Sequence, residues 1–135
     1  MPIGTAGISA VDVRDIAEAA AVTLTTEGHE GQTYDMVGPE LITGLGNAAT
    51  WSKLLEKEVR YAGHDFDQFE EYLRSRLEAW KALDLRKMFE GFLERGFAST
   101  DSAILRLKQL LGHAPRGYEE FAKETAVQWK AESSK

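Results

Sequence analysis

Apolar residues recur at helical spacing along most of the chain and alternate at strand spacing in only two short places. Asp12 and Asp15 both suit a helix N-terminus, where a carboxylate meets orphan N–H groups and the positive end of the dipole. With Asp15 near the start, Ile16, Ala19, Ala20 and Leu24 share one face, and Gly28 is placed to end the helix. Gly31 then leads into an alternating run, Gln32–Val37 (QTYDMV), which Gly38-Pro39 stops because proline cannot donate to a ladder. Thr43 can cap a second helix, but Gly44 and Gly46 in its first turns each cost about 1 kcal/mol relative to alanine, so regular helix is expected only from Ala48 to Lys57, with Trp51, Leu54 and Leu55 as its stripe. Glu58–Ala62 (EVRYA) reads as a second short strand.

The remaining half of the chain is helical in pattern. Asp65 and Gln68 have capping-box spacing, and Phe66, Phe69, Tyr72, Leu73, Leu77 and Trp80 follow as an apolar stripe. A break is expected near Ala82–Asp84, before a second stripe of Leu85, Met88, Phe89, Phe92 and Leu93 that Gly96 stops. Thr100 or Asp101 caps the next helix, with Ile104, Leu107, Leu110 and Leu111 inward and Gly112 at its end. After Pro115, Tyr118, Phe121, Ala122, Thr125 and Trp129 mark a last helix that fades over Ala131–Lys135. The expected class is α+β, mainly α, with about five or six helices packed around two short strands. The 135 residues suit a single domain over 1–135, with residues 1–10 as an extended lead-in and a short edge strand at Gly7–Ala10.

Composition narrows the function classes. A net charge of −6 argues against phosphate-backbone binding, so no nucleic-acid partner is expected. No apolar run approaches a membrane span, and the first ten residues lack the basic and apolar regions of a secretory signal. The absence of cysteine excludes disulfides, thiolate metal sites and cysteine nucleophiles, and suits a cytoplasmic location.

Self-contained catalytic motifs are not legible. His29, His64 and His113 never pair at i, i+3 or i+4, so no local metal motif arises. His29 lies in a turn and His113 follows a helix end, both ordinary places for a surface or capping histidine; His64-Asp65 lies at a strand-to-helix junction, a better place for a site. The serines lack a nucleophile elbow. The chain has no phosphate-binding loop, and Gly44-Leu45-Gly46 lacks both the third glycine and the preceding strand of a dinucleotide fingerprint. The aromatic stripe from Phe66 to Phe92 suits core packing first and a ligand pocket second.

Four pieces in order, VDVRDIAEAAAVTL, QTYDMVGPE, KEVRYAGHD and LLGHAPRGYEEFAKETAVQW, resemble the C-terminal part of NmrA-like proteins, atypical members of the short-chain dehydrogenase/reductase superfamily. Gly112, Pro115, Tyr118 and Phe121 stand at matching points of the closing segment. Two positions depart: Glu56 stands where the family usually has a helix-ending glycine, and Gly117 where it often has a serine cap. The resemblance implies a substrate-side or partner-side lobe without the N-terminal Rossmann half that carries NAD(P) and the catalytic positions. It therefore implies no catalytic residue and no cofactor in this chain, with NAD(P) relevant only if a Rossmann half is joined to it. The pocket-lining candidates it offers are Asp12 and Arg14, entering the first helix, and His64 and Phe66, after the second strand. It also implies that Ile16, Ala20 and Leu24 have lost their usual sheet-facing partner.

Two functions follow as expectations: a non-catalytic small-molecule or protein-binding domain derived from an NAD(P)-dependent reductase or regulator, or a truncated or split piece of an oxidoreductase that needs a separate Rossmann half. A homodimer is expected as the cover for the bare docking surface.

Overall fold

The computed structural model describes residues Pro2–Glu132. They form six helices: α1 (Val13–Thr25), α2 (Gly44–Leu55), α3 (Phe66–Arg74), α4 (Ala79–Arg95), α5 (Asp101–Leu111) and α6 (Tyr118–Glu132). The chain is mainly α, as its periodicity requires. Of the expected fading over Ala131–Lys135, Ser133 onward lies outside the described residues.

The chain divides into two compact units. One joins the lead-in up to Ile8 with Ile42–Phe97 and holds α2, α3 and α4. Its buried apolar residues are Ile3, Ile42, Ala82 and Phe89. Phe69, Phe89, Phe92 and Phe97 continue from that core as a chain of ring contacts with centroids 5.3–5.8 Å apart, a spacing favourable for aromatic packing. Arg86 of α4 reaches Asp67 and Glu70 of α3 at 2.7 and 2.9 Å, and Glu90 of its own helix at 2.8 Å. Ile8 bridges to Ile42 on one side and Phe97 on the other. The expected edge strand at Gly7–Ala10 thus contracts to a single pairing residue.

The second unit joins Ser9–Leu41 with the chain from Ala98 onward and holds α1, α5 and α6. Ala19 of α1 packs against Leu107 and Leu111 of α5, with Met36 and Leu110 at the edge of the cluster. Ser9 is buried and its hydroxyl accepts the Ser99 amide at 3.1 Å, while the Ser99 hydroxyl donates to the Gly38 carbonyl at 3.3 Å. The Ala10 carbonyl lies so close to Gly38 that a side chain there would collide with backbone.

Several expectations are corrected. Neither predicted strand forms among the described residues, so the class is not an α+β fold around two strands. Glu58–Ala62 is extended, but the Ser52 hydroxyl takes the place of a partner strand: it accepts the Val59 amide at 2.9 Å and contacts the Val59 carbonyl at 3.2 Å. Gln32–Val37 keeps the alternation, with Tyr34 and Met36 turned toward the α1 and α5 side chains, yet has no neighbouring strand to complete a ladder. The second helix starts at Gly44 rather than Ala48, because Thr43 caps it and the Tyr61 ring fills the space where a Gly44 side chain would stand. The break expected near Ala82–Asp84 lies at Ser75–Glu78 instead. There the Ser75 hydroxyl donates to the Tyr72 carbonyl, a local bond that competes with continued helix. Trp80 consequently lies in the first turn of α4 and is 60% exposed, outside the aromatic core.

The two departures from the resembled family have local explanations. Glu56 is the one non-glycine residue at positive φ (54°) among those described, the conformation a helix-ending glycine adopts without strain. Gly117 leaves room for Glu40, whose carboxylate accepts the Tyr118 amide at 3.0 Å at the start of α6. The cap comes from a distant glutamate instead of the preceding residue.

Candidate functional site

The strongest candidate lies in the second unit, where the entry to α1 faces the loop and first turn before and within α6. Asp12 caps α1, accepting the Arg14 amide at 2.8 Å. The Arg14 guanidinium folds back onto the same carboxylate, at 2.7 Å, and reaches Glu124 of α6 at 2.9 Å. The Arg14 hydrogen bond dominates in holding the Asp12 carboxyl below the usual aspartate range, against the opposing effect of burial.

One turn on, Asp15 is completely buried. It accepts the Arg116 backbone amide at 2.7 Å and the Arg116 guanidinium on its other oxygen. Arg116 also reaches Glu18 at 3.2 Å. His113 completes the cluster: Nδ1 faces the Ala114 carbonyl at 2.7 Å and Nε2 faces Glu18 at 3.0 Å. Both neighbours are hydrogen-bond acceptors, which favours the ring that carries hydrogen on both nitrogens. The Ala114 carbonyl and then Glu18 raise the His113 pKa; His113 and then Arg116 lower that of Glu18. Asp15, Glu18 and His113 bring donor atoms within 4.8 Å of one another. Arg116 faces both carboxylates and His113 faces Glu18, so the cluster reads as an ion-pair lock.

The lock holds the loop from Gly112 to Gly117 against α1, and beside it opens a groove of about 230 Å³. Ala10, Val11, Asp12 and Val13 form one wall, and Arg116, Gly117, Tyr118 and Phe121 the other. Asp12 and Arg116 are engaged in ion pairs, so the groove offers a ligand mainly aliphatic and aromatic surface. The volume falls below the roughly 300–1,000 Å³ of a complete small-molecule site, and the groove can supply one wall of such a site.

The four sequence candidates divide between the units. Asp12 lines the groove and Arg14 braces Asp12 from outside it. His64 and Phe66 belong to the other unit, where His64 is exposed and Phe66 opens α3 half-buried. The residues flanking His64, Gly63 and Asp65, line a separate hollow of about 280 Å³ with Pro2, Phe69 and Tyr72. Asp15 and Arg116 were not singled out by sequence as site residues. They are 101 positions apart, and no short-range spacing links them.

No protein-family model matches the chain. It is similar to curated reductases: 40% identical over 68 residues to the NAD(P)H azoreductase of Xenophilus azovorans, covering 50% of this chain and 24% of that protein. It is 29% identical over 124 residues to the (4-alkanoyl-5-oxo-2,5-dihydrofuran-3-yl)methyl phosphate reductase of Streptomyces griseus, covering 91% and 43%. Among solved structures, the NADPH-dependent quinone oxidoreductase of Escherichia coli superposes with a TM-score of 0.75 at 27% identity, covering 93% of this chain and 45% of that one. The triphenylmethane reductase of Citrobacter sp., solved with NADP(H), shares the fold, with a TM-score of 0.78 at 22% identity over 93% and 43%. The chain spans less than half the length of these relatives, and the similarity lies in their C-terminal portion. No helix among the described residues is long and apolar enough to cross a membrane.

Proposed function

We propose that this chain is the ligand-side lobe of a reductase-type fold, without catalysis of its own. It holds a small apolar molecule, or the apolar side chains of a protein partner, against the groove between Val13 and Phe121. Any nicotinamide nucleotide is held by a separate dinucleotide-binding half. The carrying observation is the unequal coverage: similarity runs over nine-tenths of this chain but under half of the Streptomyces, Escherichia and Citrobacter proteins. The groove supports the same reading, since its size suits one wall of a shared pocket.

The ligand class follows from the walls. Tyr118 and Phe121 present aromatic surface, and Val11 and Val13 aliphatic surface. A planar aromatic compound fits that lining, and the relatives are named for a quinone and for triphenylmethane compounds. The absence of cysteine suits work in the reducing cytoplasm. Calorimetric titration with menadione and with a triphenylmethane dye tests the reading. Binding that Phe121→Ala weakens supports it; no binding of either compound, or binding indifferent to Phe121→Ala and Val13→Ala, contradicts it.

The same coverage favours a second reading, in which the chain is one piece of an oxidoreductase completed by a nucleotide-binding half. Co-expression with the N-terminal half of the Escherichia coli relative then yields a complex that binds NADPH.

A further inference from the structure

Arg116 belongs both to the ion-pair lock and to the wall of the groove. A guanidinium presents five N–H donors in a fixed fork. Both hydrogens of Nη1 are committed to the lock, one to Asp15 and one to Glu18 at 3.2 Å. Among the described residues, no acceptor meets the other edge, formed by Nε and Nη2. That edge is a planar pair of parallel donors, suited to an oxygen lone pair. The lock also fixes where it stands. Asp15 is completely buried and accepts the Arg116 backbone amide at 2.7 Å as well as the side chain. A donor held in place before the ligand arrives loses little further freedom on binding.

The charge around this edge decides which oxygen fits it. Arg116 is already matched by Asp15 and Glu18, and His113 faces Glu18. Arg14, the nearest other guanidinium, is engaged by Asp12 and Glu124. Asp12 itself lines the groove, and Glu40 stands against Gly117, where its carboxylate accepts the Tyr118 amide. An anionic group brought to the edge would add charge beside these carboxylates. A neutral carbonyl oxygen accepts the same hydrogen bonds without that repulsion. Val11, Val13, Tyr118 and Phe121 suit the apolar body that carries the carbonyl.

We infer that Arg116 is the polar selector of the groove: its Nε/Nη2 edge donates to a neutral carbonyl oxygen of an aromatic ligand, and the surrounding carboxylates disfavour acidic analogues. The inference rests on the reading of the groove as a ligand wall and adds the chemical class to it, uncharged aromatic ketones and quinones. An aromatic hydrocarbon of the same shape lacks the acceptor, and an aromatic acid carries the wrong charge.

Equilibrium dialysis of the full 135-residue chain against menadione, 2-methylnaphthalene and 2-naphthoate tests it, since the probes share one ring system and differ in their oxygens. Menadione should bind about tenfold tighter than 2-methylnaphthalene, as a hydrogen bond from a charged donor at a partly exposed site provides, and 2-naphthoate should bind more weakly than menadione. Arg116→Lys keeps a cation for Asp15 and Glu18 but loses the second edge, so it should abolish the preference for menadione over 2-methylnaphthalene. Damage to the groove wall alone would weaken both probes and leave their ratio intact. In nitrogen–proton spectra of the native chain, the Arg116 Nε–H signal should move with menadione and stay in place with 2-methylnaphthalene, a readout independent of how the variant folds. Equal binding of menadione and 2-methylnaphthalene overturns the inference and leaves the groove as an apolar ligand wall. A preference that survives Arg116→Lys, an unmoved Arg116 signal, or tightest binding of 2-naphthoate overturns it in the same way. Binding of none of the probes overturns the ligand reading itself, and this inference with it.

Discussion

Helices α1 and α4 solve the same problem in opposite ways. In α4, Ala82 and Phe89 are buried while Lys87 is mostly exposed, and Arg86 and Glu90 sit at the half-buried boundary. Its unit is held by apolar packing, with ion pairs arranged around the outside. In α1, the inward residues are Ala19 and the charged Asp15, and the large apolar residues face out. Burying Asp15 is tolerable only because the Arg116 amide and guanidinium both meet it. Helix α1 is therefore not an ordinary core helix. Its polar side fixes the groove, and its apolar side remains available for a second surface.

Removing the core ring of α4 should give the largest effect. Phe89→Ala, at a site 7% exposed and touching Phe69 and Phe92, is expected to lose about 4 kcal/mol in urea unfolding. Asp15→Ala should come next, at about 3 kcal/mol, because it leaves the Arg116 amide and guanidinium without their buried partner. Exchanging both members for apolar residues of similar size should recover most of that loss, which the α4 substitution cannot do. If Asp15→Ala proves neutral, the contrast between the two helices fails.

Smaller effects sharpen the contrast. Glu56→Gly should stabilise the chain by about 0.5–1 kcal/mol, since the residue occupies a left-handed conformation that glycine adopts freely. The lock should also respond to pH. His113 has a raised pKa in the folded chain, so its contribution is fully present below the ordinary histidine value of about 6.5 and disappears as pH rises through the higher folded value. Asp12 and Glu18 have lowered values, so theirs is present at neutral pH and is lost on acidification through those lowered values. Urea midpoints of the native chain and His113→Gln should therefore differ most below about pH 6 and converge under alkaline conditions.

Much of the fold was legible because helix signals are local. The caps at Thr43 and Asp65 and the stop at Gly112 lie where the residues indicate, and of the alternatives Asp12 or Asp15 and Thr100 or Asp101 the structure uses Asp12 and Thr100. The strands failed for a non-local reason. Alternation at Tyr34 and Met36 describes which side chains turn inward, whereas a strand also needs a partner, and the Val59 amide is met by the Ser52 hydroxyl instead. The arc of Ile16, Ala20 and Leu24 was visible as a face, but Ala19, placed with them by spacing, turns inward against Leu107. Of the candidate site, the position of Asp12 indicates a helix start, and only the family resemblance offered it as a pocket residue. The Asp15–Arg116 lock could not, because only the folded chain brings those residues together.

A chain that forms only the ligand side of a reductase-type fold, as proposed, leaves the nucleotide to another half. Calorimetric titration of the 135-residue chain with NADPH tests this most directly. No saturable heat is expected for the chain alone; micromolar NADPH binding to it would overturn the proposed division of labour.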